Sequence, residues 1–237
     1  MEILPSVDLM GGKVVRLVQG DPDRAKVYSA DPVATARRWE QEGASGLHVV
    51  DLDAALERGS NLSLVEAILK AVSVDVEVGG GVRSLPRASR LLKAGADRVI
   101  LGTAAFSDPT LPSALVKQFG GERVMAALDY REGTVVVRGW RETSKDLVQA
   151  LNLLRRKGVR KFLLTDVNRD GTLGGPDVET LRRIARTRGV EVVASGGIRG
   201  LTDLAALKQT GVTGVVVGTA LYEGLFSLQE AFRAVGE

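Results

Sequence analysis

The stretch VGGGVR (Val78–Arg83), followed after a helix-length gap by ILGTAAF (Ile100–Phe106), occurs twice: ASGGIR (Ala194–Arg199) and VVGTALY (Val216–Tyr222) repeat it. Gly196 stands 116 residues after Gly80, Gly211 the same distance after Gly95, and Gly218 the same after Gly102, so the two copies superpose without a gap. A glycine-rich turn after an apolar run lets backbone N–H groups approach an anion, because no Cβ stands in the way. A Gly-Thr turn that opens a short helix adds free amides at the positive end of a helix dipole. Each copy therefore reads as half of a phosphate clamp. Gly80, Gly81, Gly102 and Thr103 make the first; Ser195, Gly196, Gly197, Gly218 and Thr219 make the second. One glycine pair is ordinary turn chemistry; the paired and repeated arrangement is what points to phosphate.

Around these turns, apolar strands alternate with amphipathic helices. The predicted strands are Ile3–Asp8, Leu47–Asp51, Val74–Val78, Arg98–Leu101, Arg123–Asp129, Lys161–Asp166, Val190–Ser195 and Gly214–Val217. Helices are expected over Pro32–Glu42 with Asp31 as N-cap, from Asn61 to about Ala71, and over Ser84–Ala94. Others run from Ser144 to Lys157, over Asp177–Arg188, and from Thr202 toward Gly211. KVVRLVQGD after Gly12 and TVVVRGW (Thr134–Trp140) read as extra ribbons. Continuous apolar strands each followed by a helix indicate a parallel sheet covered by helices. Eight such units in 237 residues favour a closed α/β barrel of the (β/α)8, or TIM-barrel, type over an open sheet.

The repeat extends beyond the glycines. Asp8 in SVDLMGGKVV aligns with Asp129 in ALDYREGTVV, as Gly12 does with Gly133, both at an offset of 121. A single barrel built from two duplicated half-barrels, about 1–120 and 121–237, is expected. Barrel enzymes do their chemistry at the C-terminal strand ends. The two clamps then lie on opposite walls of that face, with Asp8 and Asp129 on the crossing axis. Such a site asks for a long ligand with a phosphate at each end and its reactive centre between two carboxylates. Two facing carboxylates suit proton shuttling, one taking a proton as the other gives one. The alternative is that they only receive loop amides or pair with Lys13 or Arg131.

Composition excludes other classes. Cysteine is absent, which rules out a thiol nucleophile, a thiolate zinc site and an iron–sulfur cluster, and nothing points to an oxidising compartment, so a cytoplasmic location is expected. No apolar run approaches the roughly 20 residues of a membrane span. A formal charge of +3, with no basic tract interleaved with aromatics, argues against nucleic acid. Asp51, Asp53, Asp166 and Asp170 also fall on the functional face. Without histidine partners or EF-hand spacing, however, neither a metal nor a cofactor is expected. NRDGTLGG (Asn168–Gly175) reads as an active-site loop, offering Asp170, Gly171 and Thr172, or as an ordinary Asp-Gly turn. His48, the only histidine, is either a core residue or a ligand hydrogen bond. Arg83 follows the first turn and is a candidate contact for substrate or phosphate; its counterpart Arg199 is equally a solvated helix-start charge. Trp140 either stacks on a planar group or closes the barrel mouth, and Arg16 and Gln19 are candidates of the same kind on the first ribbon.

VDLMGGKVVRLVQGD, HVVDLD, VGGGVR, VILGTAAF, ALDYREG, TDVNRDGTLGGPD, ASGGIR and VVGTALYEG together resemble the histidine-biosynthesis isomerases acting on phosphoribosylformimino-5-aminoimidazole carboxamide ribotide. The resemblance covers essentially the whole chain. It implies a duplicated (β/α)8 barrel, a bisphosphorylated ribotide substrate and a cofactor-free Amadori rearrangement of an aminoaldose to an aminoketose. Carried onto this chain, it makes Asp129 the general acid at the ribose ring oxygen and Asp8 the general base at C2′. Ser6, Val7 and Ala54 depart from the common pattern without touching that pair. The sister cyclase shares barrel, clamps and aspartates; RLVQGD and the Gly139-Trp140 pair resemble the isomerase instead. A dual-substrate isomerase that also takes phosphoribosylanthranilate, and a non-catalytic phosphosugar sensor, are the further alternatives. A barrel that completes its site from its own two halves needs no partner, so a monomer is expected.

Overall fold

The structure, a computed structural model, describes residues 1–137, 140 and 142–236. Strand β1 (Glu2–Met10) runs up the barrel wall and turns at Gly11-Gly12 into a hairpin of β2 (Lys13–Val18) and β3 (Asp21–Ser29). Then come α1 (Pro32–Gln41), β4 (Gly46–Asp51), the single turn α2 (Leu52–Ala55), α3 (Leu62–Ala71), β5 (Asp75–Gly79) and α4 (Leu85–Lys93). β6 (Arg98–Leu101), the short α5 (Ala104–Ser107) and α6 (Leu111–Phe119) follow. β7 (Val124–Arg131) leads into a second hairpin, β8 (Thr134–Val137) and β9 (Glu142–Asp146), and into α7 (Leu147–Arg156). β10 (Lys161–Asp166), α8 (Val178–Ala185), β11 (Glu191–Ser195) and α9 (Leu201–Lys208) precede β12 (Gly214–Val217), the short α10 (Thr219–Tyr222) and α11 (Leu228–Val235).

Eight of these strands, β1, β4, β5, β6, β7, β10, β11 and β12, pair in parallel and in that order; β12 returns to β1 with Glu2 opposite Gly214 and Pro5 opposite Val217. The sheet thus closes on itself as a (β/α)8 TIM barrel. Closure needs inward residues that fill a narrow tube, and Leu4, Ile100, Met125, Leu163, Val193 and Val216 supply a buried cluster of the right size. A larger apolar layer, including Val7, Leu47, Leu91, Leu101, Phe162 and Leu204, lies between strands and helices. The barrel strands therefore bury both faces, which explains why they read as continuous apolar runs.

Three predicted helix starts are corrected. Ser144 does not open a helix: it lies in exposed β9, and α7 begins after Asp146, whose Oδ1 accepts from Val148 N at 2.9 Å and Gln149 N at 3.1 Å. A carboxylate two residues further on satisfies two orphan amides at once, which a hydroxyl in extended backbone does not. Thr202 lies inside α9, whose N-cap position is Gly200; Asp203 closes this turn by accepting from Arg199 N at 3.0 Å. Asn61 precedes α3 but makes no side-chain cap, because its amide is committed to Asp51, Asp53 and the Gly12 N–H. Asp31 and Ser84 do cap α1 and α4. The second ribbon extends beyond the run read from sequence, since β9 returns along β8, and Gly139 lies outside the described residues. Asp146→Ala is expected to cost about 1 kcal/mol of unfolding free energy, and Ser144→Ala close to nothing. Urea titration of both variants checks this, and equal losses would restore Ser144 as the cap.

Candidate active site

The C-terminal mouth of the barrel holds a cavity of about 260 Å³. Asp8 and Asp129 both line it, as do Gly80, Gly81, Arg83, Gly102 and Thr103 of the first clamp. Arg16, His48, Trp140, Asp170 and Ser195 complete its predicted lining. The second clamp opens into a smaller space of about 20 Å³, bounded by Gly171, Gly196, Gly197, Gly218 and Thr219 and sharing Arg16, Asp170 and Ser195 with the first. This space is small because the Arg16 guanidinium lies against Gly218, where a Cβ would strike it. Gln19 and Thr172 line neither cavity. The Gln19 N–H donates to Asp170 O at 3.0 Å and its Nε2 to Asn168 O at 3.0 Å, while Thr172 Oγ1 donates to Arg169 O at 2.7 Å. Gln19 thus fastens the β2–β3 turn to the 168–175 loop, and Thr172 closes a turn within that loop.

Asp8 is largely buried and pairs through Oδ2 with Arg16 Nη1, not with Lys13 or Arg131. Arg16 also donates to Ser6 Oγ at 2.5 Å and stands 3.8 Å from Asp170 Oδ1. Three polar atoms around this centre are buried without a hydrogen-bonding partner: Asp8 Oδ1, Arg16 Nε and Thr219 Oγ1. Buried polar atoms are normally satisfied, so a cluster of orphans at the floor of a cavity marks where a polar ligand completes the structure.

Across the cavity, Asp129 Oδ2 accepts from Trp140 Nε1 at 2.8 Å, and its carboxylate also takes the Thr165 hydroxyl. Burial pushes the Asp129 carboxyl above the ordinary carboxylate range; the Trp140 and Thr165 hydrogen bonds and His48 only partly oppose this. Trp140 has φ +68° and covers Gly20, where a Cβ would sit 2.5 Å from its ring. It closes the mouth by tying the second hairpin to the first. His48 Nδ1 is 2.6 Å from Glu77 Oε1, with both side chains buried. Arg83 is tethered by Nη1 to Ala54 O and by Nη2 to Ala55 O, each at 2.8 Å. Its counterpart Arg199 stays exposed beside Asp203. Asp51 is saturated by Ala54 N, Ser60 Oγ, Asn61 and Arg87, so it serves the loops and not the cavity.

Sequence reading missed Thr165 and Glu77. Thr165 precedes Asp166 in TD at a strand end and carried no distinct signal. Glu77 did carry one, as a carboxylate in the middle of VDVEV, where a buried strand has no use for a charge without a partner.

Asp170 is pushed up to about 6, chiefly by burial, with Asp8 and Asp129 adding to the rise and Arg16 opposing it. A carboxyl raised in the folded state binds its proton more tightly there than when unfolded. Its contribution therefore favours the fold at low pH and is lost as pH rises from about 4 to about 6. Asp170→Asn is thus expected to gain melting temperature relative to the parent across that window and to keep the gain above it. Thermal melts from pH 4 to 8 test this; a parent that gains on the variant as pH rises would reverse the sign.

The family model described as histidine biosynthesis protein matches residues 2–227. The chain belongs to this family. Members similar to it include a protein of Gloeothece citriformis, 48% identical over 100% of this chain and 94% of its own. Another, from Desulforudis audaxviator, is 48% identical over 98% of this chain and 90% of its own, and one from a Cyanothece species is 46% identical over 100% and 94%. All three family members carry the name 1-(5-phosphoribosyl)-5-((5-phosphoribosylamino)methylideneamino)imidazole-4-carboxamide isomerase. Among the described residues, no helix is long and apolar enough to cross a membrane.

Proposed function

We propose that this chain catalyses the cofactor-independent aldose–ketose isomerisation of a bisphosphorylated aminoaldose ribotide; its relatives are named as isomerases of a compound with two phosphoribosyl groups. The observation that carries the reading is one cavity containing Asp8 and Asp129 from opposite walls, between two glycine turns related by the sequence repeat. Asp129, pushed toward its protonated form by burial, is the general acid. It gives its proton to the ribose ring oxygen as the C1′–O bond breaks and the exocyclic nitrogen forms a Schiff base with C1′. Asp8 is the general base and takes the C2′ proton; the C–H electron pair becomes the C1′–C2′ double bond of an enolamine. The enolamine gains a proton at C1′ as its C2′ hydroxyl loses one, so substrate and product are isomers and no electron acceptor is consumed. The orphaned Thr219 hydroxyl and the amides of Gly196, Gly197 and Gly218 hold one phosphate, and Gly80, Gly81, Gly102 and Thr103 hold the other. The phosphate at the second clamp draws Arg16 away from Gly218 and frees Asp8 from its ion pair.

The chain is read as two half-barrels, about 1–120 and 121–237, working as a monomer in the cytoplasm. The test is turnover of purified protein without cofactor or ammonia. The aminoaldose ribotide is expected to be consumed, and phosphoribosylanthranilate, assayed separately, is not. Turnover of neither, or product only when ammonia is supplied, would overturn the reading. Light scattering at micromolar concentration tests the monomer.

A further inference from the structure

Glu77 is 1% exposed and lies inside the barrel on β5, opposite His48 of β4 in the strand register. Its Oε1 is 2.6 Å from His48 Nδ1. His48 lines the cavity shared by Asp8, Asp129 and Asp170. Glu77 faces the other way as well. It borders a separate polar cavity of about 180 Å³ at the N-terminal end of the barrel, where Arg98 and Lys161 stand among Glu2 and Glu191. As a carboxylate, Glu77 is an acceptor only, so the proton in its hydrogen bond to His48 belongs to Nδ1.

We infer that Glu77 is a positioning residue that holds the single histidine of this chain in its Nδ1–H tautomer, so that Nε2 offers the active site a neutral acceptor. The role has a chemical reason. The groups already around the reaction centre are the carboxyls of Asp8, Asp129 and Asp170 and the donors of Arg16 and Trp140. A further carboxylate as acceptor would add repulsion to Asp8, Asp129 and Asp170, whereas a neutral imidazole nitrogen orients a ribose hydroxyl of the opening sugar without charge. Which ring nitrogen carries the proton is set by the partner of the other one. The catalytic part of this inference rests on the isomerase reading; the tautomer does not.

The sole histidine makes the test unambiguous. In protein labelled with 15N-histidine at about pH 8.5, where an ordinary imidazole is neutral, Nδ1 is expected to carry the proton and Nε2 to give the shift of a bare ring nitrogen. In Glu77→Leu the ring is expected to revert to the Nε2–H form, kcat to fall at least tenfold, and KM to change less than threefold. In a His48→Asn background, Glu77→Leu is expected to cost nothing further. If the leucine variant does not fold, Glu77→Gln keeps an acceptor of similar size, and the parent spectrum decides alone. A parent histidine protonated at Nε2, or at both nitrogens, would overturn the inference while leaving turnover intact. Absence of turnover with the expected tautomer would instead condemn the isomerase reading.

Discussion

Asp8→Asn is expected to reduce turnover of the ribotide by a factor of about 10²–10⁴, the range that a positioned general base contributes, while the protein still binds a bisphosphorylated ligand. Asp129→Asn is expected to lose a comparable factor through the other half of the exchange. The two variants differ in their side effects. Asp8 balances the largely buried Arg16, so Asp8→Asn leaves a guanidinium with only Asp170, 3.8 Å away, and is expected to cost up to about 3 kcal/mol of stability. Asp129 has no cation within ion-pair distance among the described residues, and burial disfavours its charge; Asp129→Asn is expected to leave stability unchanged or slightly improved. Single-turnover kinetics with both variants, beside urea melts and ligand titration, separates chemistry from folding. Full activity in either variant removes that residue from the acid–base pair.

Two glycines of the first clamp are expected to respond in opposite ways. At Gly80, φ is +88°, and a Cβ would lie 2.7 Å from the backbone C and N of Asp51. Neither atom can yield cheaply, because Asp51 is fixed by its own network of hydrogen bonds. Gly80→Ala combines left-handed strain with overpacking and is expected to destabilise the protein by roughly 3 kcal/mol or more. At Gly102, the backbone is outside the left-handed region and nothing lies within 4 Å of an added Cβ, so the fold itself tolerates alanine there. On the proposed reading, the methyl group instead stands over amides that hold the phosphate. Gly102→Ala is expected to melt with the parent and to raise KM at least tenfold, the loss of about one charge-assisted hydrogen bond. A Gly102→Ala enzyme with parental KM would mean that the Gly-Thr turn holds no phosphate.

Much of this was readable from residues alone, for identifiable reasons. Strands buried on both faces announce themselves as apolar runs, and Asp31 and Ser84 sit where a helix start demands an acceptor. Asp8 and Asp129 follow from their place at the end of such runs together with the repeat. What escaped depends on partners distant in sequence. β3, DPDRAKVYS, has no fully buried residue and carries no period, so only its pairing with β2 makes it a strand. Lys13 and Arg131 were the nearest cations to the two aspartates in sequence, yet the hairpin delivers Arg16. Glu77 acquires meaning only once β4 and β5 are neighbours and His48 faces it. Side-chain pairings across strands are set by register, and a single sequence states no register.

The seam between β1 and β12 has a bearing on how the chain is made. Glu2 to Pro5 are made about two hundred residues before their partners Gly214 to Val217, and the cylinder cannot shut until β12 is available. Until then the nascent protein has two bare sheet edges, each rich in apolar residues. The final joining step spans almost the whole polypeptide, so it is intrinsically late and slow. In the cell, the vulnerable interval is therefore synthesis itself. A stalled or prematurely ended message, lacking the last strand, leaves an open sheet prone to pair with its neighbours.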